Sequence, residues 1–148
     1  MNGDIRVEKY QPEHLIELLK HPSQAITARY VGEKDAQALS TFEHCYTVFK
    51  GEKIVACIGL VKYWEGRYEA WAFLLPGFRD VFLFIHNGVK KFLKNGKFRR
   101  IEATVESRFP NGHKWVNLLG FKCECARLEK YGPTGSDYTL YTYIREDE

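Results

Sequence analysis

A continuous run of strand-like segments in the middle of the chain leads directly into the longest helical pattern, and this succession limits the possible folds. Three β-rich runs are separated by turns at residues 50–53 and 64–67, which predicts an antiparallel meander. The meander ends at Pro76-Gly77, after which apolar residues recur three and four positions apart over residues 78–93. A further strand follows at residues 98–105. Because a strand–helix–strand connection joins parallel strands, the sheet is expected to be mixed.

Shorter segments on both sides of this region show either the alternation typical of strands or the three- and four-residue spacing typical of helices. Alternating apolar residues predict strands, and helical spacing bounded by Pro or Gly predicts helices. The predicted strands are at residues 5–10, 121–128 and 138–144, and the predicted helices at residues 13–20, 33–39 and 113–119. The order is therefore β-α-(α)-β-β-β-α-β-α-β-β, an α/β chain with a mixed sheet.

The bulk composition favours one packed domain, which we expect to span residues 1–148. Apolar residues make up 45% of the chain, which excludes a disordered protein. The net charge of +3 is too small to predict a nucleic-acid partner. No apolar run is long enough to cross a membrane, and the first residues lack the pattern of a signal peptide. We therefore expect a cytoplasmic protein without a membrane partner.

The cysteine pattern does not indicate a metal centre. Cys45, Cys57, Cys123 and Cys125 form no CxxC pair, and in the cytoplasm they are expected to stay reduced. Cys123 and Cys125 flank one residue of a predicted strand, so both would point to one face and a two-ligand site is one interpretation. Ordinary thiols explain the pair more simply, and we expect no metal.

Three segments near the carboxyl end carry a resemblance to a known family. They are Arg-Ile-Glu-Ala-Thr-Val at residues 100–105, Trp-Val-Asn-Leu-Leu-Gly-Phe at residues 115–121 and Tyr-Thr-Leu-Tyr at residues 138–141. In this order they resemble the fifth strand, fourth helix and last strand of the GNAT acyl-CoA N-acyltransferases. The resemblance extends over nearly the whole chain. It implies the GNAT fold, acetyl-CoA (or CoA) as cofactor, and transfer of an acetyl group to an amine.

The family's cofactor motif would lie where the fourth strand meets the long helix. Pro76 and Arg79 match its beginning, but Phe82 and Phe84 stand where the family has glycines, whose small size lets helix amides approach a pyrophosphate. The resemblance implies cofactor contacts from Phe73, Leu74, Arg79, Asp80 and Val81. Two interpretations remain open. Either both rings turn toward the core and leave the amides accessible, or they fill the core or the cleft and Arg79 is only a surface charge.

The reaction requires a base for the amine and an acid for the leaving thiolate. The resemblance implies a glutamate on the fourth strand as the base, and Glu69 is the candidate; an exposed glutamate without a catalytic role is the alternative. The family's tyrosine acid would lie at Val116, where this chain has no phenol. His113, in the same helix, is the titratable substitute, and a solvated polar residue is again the alternative.

The missing glycines and tyrosine leave a second function open. The chain also resembles degenerate GNAT-like proteins of tailed phages, so a catalytically inactive binding or structural protein that acts through a macromolecular partner is the alternative. For the enzyme, the partner is a small-molecule or protein amine. A basic cluster could bind phosphate groups, but a solvated helix end explains it more simply, and we do not expect nucleic acid. The cluster comprises Lys90, Lys91, Lys94, Lys97, Arg99 and Arg100.

Overall fold

The computed structural model describes residues 3–146, and its elements follow the predicted order. They are β1 (Ile5–Lys9), α1 (Pro12–Leu18), α2 (Glu33–Leu39), β2 (Cys45–Lys50), β3 (Lys53–Trp64), β4 (Arg67–Leu74), α3 (Arg79–Asn95), β5 (Arg100–Glu106), α4 (Pro110–Leu119), β6 (Lys122–Leu128) and β7 (Tyr138–Ile144). Two 3-10 turns, Pro22–Gln24 and Thr27–Arg29, lie between α1 and α2. The predicted α/β class is confirmed.

The strands form one mixed sheet in the order β1-β2-β3-β4-β5-β7-β6. Antiparallel ladders join β1 to β2 and β2 to β3, and β7 pairs antiparallel with both β5 and β6. β4 and β5 are parallel, with Arg67–Glu69 opposite Arg100–Glu102. The helix α3 connects these two strands, so the predicted parallel crossover is confirmed.

The packing of Cα atoms divides the chain into two compact units, which we describe separately. The first comprises the chain up to Val61 and Trp71–Ile85, and the second comprises Lys62–Ala70 and the chain from His86 onward. The chain passes between the units within β3, β4 and α3. The single domain over residues 1–148 stays a prediction.

The core of the first unit is built on α1, α2 and the first hairpin. Its buried residues are Tyr10, Leu15, Leu18, Leu19, Ala36, Cys45, Cys57 and Leu75. The two short helices contribute the aliphatic side chains that the helical spacing predicts. The hydroxyl of Tyr10 donates to the carbonyl of Ala36 at 2.8 Å, which satisfies a polar group inside this core.

The second unit is organised around β5, along which every second side chain is buried: Ile101, Ala103 and Val105. α4 contacts this strand and begins at Pro110, three residues before the predicted start. The segment Phe-Pro-Asn-Gly has the composition of a turn, but Pro is well suited to the first helical position, so the helix starts there. α4 ends at Gly120, whose φ of 98° requires glycine.

The expectation that Cys123 and Cys125 point to one face rests on regular alternation, and β6 is irregular between them. Cys123 pairs with Tyr141 and Cys125 with Leu140, which are adjacent on β7, so a bulge separates the two thiols. All four cysteines are free. Within residues 3–146, no group of three or more His, Cys, Asp or Glu side chains could hold a metal ion.

Membrane-spanning helices are not found in the part of the chain that the structure describes. The longest helix, α3, has 17 residues, and it carries several lysines.

Candidate functional site

The loop between β4 and α3 turns sharply at Gly77. Its φ is 88°, and a Cβ added there would meet nothing within 4 Å, so the position needs glycine for its conformation and is open to its surroundings. The N–H of Phe82 donates to the carbonyl of Phe78 at 2.9 Å. The amides of Arg79, Asp80 and Val81 precede this bond and form the first turn of α3, where a helix attracts anions.

Two lysines from the β2–β3 hairpin lie beside this loop, and sequence reasoning missed both. The ammonium groups of Lys50 and Lys53 lie 5.7 and 5.3 Å from the centre of the Phe78 ring, within the range of cation–π contacts. Arg79 is exposed at the start of α3. The lysines flank the first hairpin turn, a position that gives no signal of proximity to a loop some 25 residues further along the chain.

Asp80 is the only acidic residue in the first turn of α3. Its Oδ2 lies 2.7 Å from the Nζ of Lys50, whose side chain is only 14% exposed. The hydrogen bond from Lys50 holds the pKa of Asp80 below its ordinary value, and the amide of Val81 adds to this effect. A carboxylate therefore already interacts with the positive end of the helix, next to three cationic side chains.

The other predicted cofactor residues are distributed differently. Phe73 and Leu74 are half-buried on β4, and the carbonyl of Leu74 accepts from Gln24 Nε2 at 3.3 Å. Val81 is buried, so its backbone rather than its side chain is the part that could serve a ligand. Because Arg79, Asp80 and Val81 lie in one helical turn, the structure does bring those three together.

The two phenylalanines that replace the family's glycines behave differently from each other. Phe82 is half-buried, whereas Phe84 is 43% exposed. The expectation that both rings turn toward the core is therefore wrong for Phe84. The buried stripe of α3 in this unit runs through Val81 and Ile85, one turn apart, and Phe84 lies beside it.

Glu69 lies half-buried on β4 in the second unit. Its Oε1 accepts a hydrogen bond from the hydroxyl of Tyr63 at 2.6 Å. This bond, followed by partial burial, raises the pKa of Tyr63 to about 12. Among the described residues, the Glu69 carboxylate forms no ion pair. It is thus a carboxylate held by one neutral donor.

Glu102 stands opposite Glu69 on β5 and has a very different environment. Arg67 donates to both of its oxygens, at 2.7 and 3.2 Å, and Arg100 donates to Oε2 at 2.7 Å. Arg100 also donates to both oxygens of Glu124 at 2.8 Å. The hydrogen bond from Arg67 is the largest cause that holds the pKa of Glu102 below 4.5. Glu69 and Glu102 therefore lie opposite each other on β4 and β5, but of the two only Glu102 is neutralised by cationic side chains.

This ion-pair chain leads to a prediction for stability at low pH. Since folding lowers the pKa of Glu102, its ion pairs stabilise the protein above pH 4.5, and this contribution is lost as the pH falls below that value. Glu102→Gln should lower the free energy of unfolding by about 1 kcal/mol at pH 7 and make it less dependent on pH below 4.5. Urea unfolding at several pH values measures both effects.

Glu129→Gln is the matched control, because Glu129 forms an exposed ion pair with Arg127. It should leave the stability and its pH dependence nearly unchanged. Equal acid sensitivity of the wild type and Glu102→Gln would contradict the assignment.

His113 is held by three contacts in the second unit. Its Nε2 lies 3.0 and 3.1 Å from the carbonyl oxygens of Glu106 and Ser107, which only accept hydrogen bonds, so Nε2 carries a proton. Nδ1 of the neutral ring then accepts from the hydroxyl of Tyr141 at 2.7 Å. Because both ring nitrogens have partners, an acid role would require one of these contacts to break.

His113 lies at an open depression on the surface of α4. Together with Lys114, Asn117 and Leu118, it lines this depression, whose volume is about 470 Å³. Val116, at the position of the family's tyrosine, is buried. Two residues of the basic cluster already have partners: Arg100 binds glutamates and Arg99 Nη2 donates to the carbonyl of Glu65 at 3.1 Å.

No family model matches the sequence, and no curated protein matches it significantly. Solved structures, in contrast, match nearly the whole chain at low identity. Ard1 from Thermoplasma volcanium has a TM-score of 0.79 at 13% identity, covering 97% of this chain and 99% of its own. The acetyltransferase yncA from Salmonella typhimurium, solved with its cofactor acetyl-CoA, has a TM-score of 0.74 at 10% identity, covering 99% and 96%.

A GNAT-family acetyltransferase from Bacillus anthracis matches with a TM-score of 0.68 at 17% identity, covering 99% of this chain and all of its own. The chain therefore has the fold of the GNAT acetyltransferases, as the resemblance implied. At these identities the likeness defines the fold, and the chemistry has to be argued from the side chains.

Proposed function

We propose that the protein is an acyl-CoA-dependent N-acyltransferase that transfers an acetyl group from acetyl-CoA to an amine. The observation that carries the proposal is the β4–α3 loop, where Gly77 turns the chain with a φ of 88° and Lys50 and Lys53 lie beside Phe78, next to Arg79 at the start of α3. Lys50, Lys53 and Arg79 outnumber the one carboxylate, Asp80. A diphosphate fits this charge and the amides of the first helical turn.

Glu69 is the base in this proposal, and acetyl-CoA supplies an acyl group activated as a thioester. Oε2 of Glu69 accepts a proton from the ammonium group of the acceptor. The lone pair released on nitrogen forms the new C–N bond as the C–S bond breaks. The acylated nitrogen then loses its second proton, and the leaving thiolate takes this proton up through water, or through His113 if Nδ1 first accepts it in place of the Tyr141 hydroxyl. The remaining rate enhancement comes from holding the amine and the thioester in the correct relative position.

The alternative is a catalytically inactive protein of the same fold, as in the phage-encoded proteins that it resembles, acting through a macromolecular partner. One observation favours it: the carboxylate of Asp80 already interacts with the start of α3, where a pyrophosphate would have to bind. The presence of Val116 where the family has a tyrosine also favours the catalytically inactive protein. We place either form of the protein in the cytoplasm, which the four free cysteines support.

Thermal unfolding with and without CoA tests the proposal. At 100 times the dissociation constant, a ligand that binds one site of the folded state adds about 2.7 kcal/mol of stability. Mass spectrometry of a panel of amines incubated with acetyl-CoA then tests transfer. No stabilisation at millimolar CoA and no acetylated amine would exclude the transferase and favour the inactive form.

The variant Lys53→Glu tests whether the cofactor binds at the β4–α3 loop. The charge reversal places a carboxylate beside the loop and should weaken CoA binding by about tenfold or more, because a phosphate contact is replaced by repulsion. Isothermal titration calorimetry measures the change. Lys94→Glu, a like reversal at the other end of α3, is the control and should leave the affinity unchanged. Equal effects of the two variants would mean that binding depends only on net charge.

A further inference from the structure

Tyr63 and Glu69 form a contact that the fold itself does not require. Tyr63 lies near the end of β3 and is 48% exposed, yet its hydroxyl is 2.6 Å from Oε1 of Glu69 on β4. An exposed tyrosine normally leaves its hydroxyl to water. Here the hydroxyl is bound to the one carboxylate that the proposed reaction uses.

The ring of Tyr63 is in turn fixed by an arginine that cannot easily move. The guanidinium carbon of Arg67 lies 4.6 Å from the ring centres of both Tyr63 and Trp64. The same guanidinium is bound to both oxygens of Glu102. Because Arg67 is held at one end by a carboxylate and lies within cation–π distance of both rings, the position of Tyr63 is restricted.

We propose that Tyr63 is a positioning residue, which fixes the Glu69 carboxylate through Oε1 so that Oε2 receives the proton of the acceptor ammonium. The inference rests on the proposed function and deepens it. The acceptor ammonium is a cation, so the carboxylate that accepts its proton must be one that is not already paired with a cationic side chain. Glu102 is excluded because Arg67 and Arg100 already neutralise it, whereas Glu69 has only the phenol.

The charged groups around Glu69 come from three strands. Tyr63 approaches from β3, Arg67 shares β4, and Glu102 with its second partner Arg100 lies opposite on β5. Of these, only Tyr63 donates to Glu69. Removing its hydroxyl therefore takes away the hydrogen bond that orients the carboxylate.

The contact can be measured without any activity. In protein labelled with ¹³C at the tyrosine ζ position, the Tyr63 resonance is identified by its loss in Tyr63→Phe. The pKa of Tyr63 is raised to about 12 mainly by Glu69, so this resonance should titrate well above an ordinary tyrosine. Glu69→Gln should bring its titration down toward pH 10. The same midpoint with and without the Glu69 carboxylate would overturn the proposal.

Tyr63→Phe keeps the ring that lies beside Arg67 and removes only the hydroxyl. We expect kcat for acyl transfer to fall about tenfold with an unchanged KM for acetyl-CoA, because the substrates still bind but the carboxylate is no longer held in place. Tyr30→Phe is the control: Tyr30 is 45% exposed, and within residues 3–146 its hydroxyl has no hydrogen-bond partner. It should behave as the wild type.

The outcomes separate this inference from the proposed function. If the wild type transfers acetyl groups and Tyr63→Phe matches it in kcat, only the role of Tyr63 is wrong. If the wild type transfers to no amine, the transferase and the positioning role both fail. A fall in kcat at constant KM in Tyr63→Phe but not in Tyr30→Phe, together with a Tyr63 titration that depends on the Glu69 carboxylate, supports the proposal, because a merely structural role would not require that contact.

Discussion

Replacing Glu69 by glutamine should reduce kcat for acyl transfer by about a hundredfold, the usual contribution of a positioned general base. The glutamine has nearly the same shape and still accepts the hydrogen bond from Tyr63, but it cannot take a proton. Since Glu69 is not one of the residues assigned to the cofactor, the affinity for CoA should stay the same. Steady-state kinetics with the best amine of the panel, together with calorimetry for CoA, measures both quantities.

The control is Glu65→Gln in the same hairpin. Glu65 is exposed and bound to Lys62 at 2.8 Å, so it shares the residue type and the neighbourhood of Glu69 without its contact to Tyr63. Its replacement should leave kcat unchanged. An unaltered kcat in Glu69→Gln would reject Glu69 as the base, and the proton would then have to leave through water.

A second large effect is expected at Gly59, which is half-buried on β3 in the first unit. A Cβ there would lie 2.5 Å from the carbonyl oxygen of His44 and 2.8 Å from Cζ2 of Trp71. That carbonyl also accepts the amide of Leu60 at 2.8 Å, so it cannot retreat without weakening this hydrogen bond. Gly59→Ala should lower the free energy of unfolding by about 3 kcal/mol. Urea denaturation followed by circular dichroism measures this loss.

Gly88→Ala is the matched control with the opposite sign. Gly88 lies within α3, and a Cβ there would meet nothing within 4 Å. Alanine should therefore stabilise the helix by up to about 1 kcal/mol. If both variants changed stability alike, the close approach of Trp71 to Gly59 would not be the cause.

The order of the elements could be predicted because each has a strong local periodicity. β7 and α2 have the predicted bounds, since turn residues flank the first and glycine precedes the second. The start of α4 was misplaced because Phe-Pro-Asn-Gly fits a turn and a first helical turn equally well. Whether this segment forms a turn or the first turn of α4 depends on its packing against β5, and this packing cannot be predicted from a local sequence pattern.

The candidate site was predictable only in part, for a similar reason. Glu69 and Arg79 could be proposed from the sequence because they lie at fixed distances from Pro76 in one strand and one helix start, and their roles stay predictions. Lys50, Lys53 and Tyr63 belong to other strands, and their contacts follow from the sheet register and from side-chain direction. The partners of Glu102 likewise depend on which strand lies beside β4.

Amide NMR during a titration with CoA shows directly whether a diphosphate binds to the start of α3. We expect the amides of Gly77, Arg79, Asp80 and Val81 to shift on saturation, and at a CoA concentration near the wild-type dissociation constant these shifts should be several-fold smaller in Lys53→Glu. Saturating shifts confined to other segments, or none at millimolar CoA, would contradict this binding.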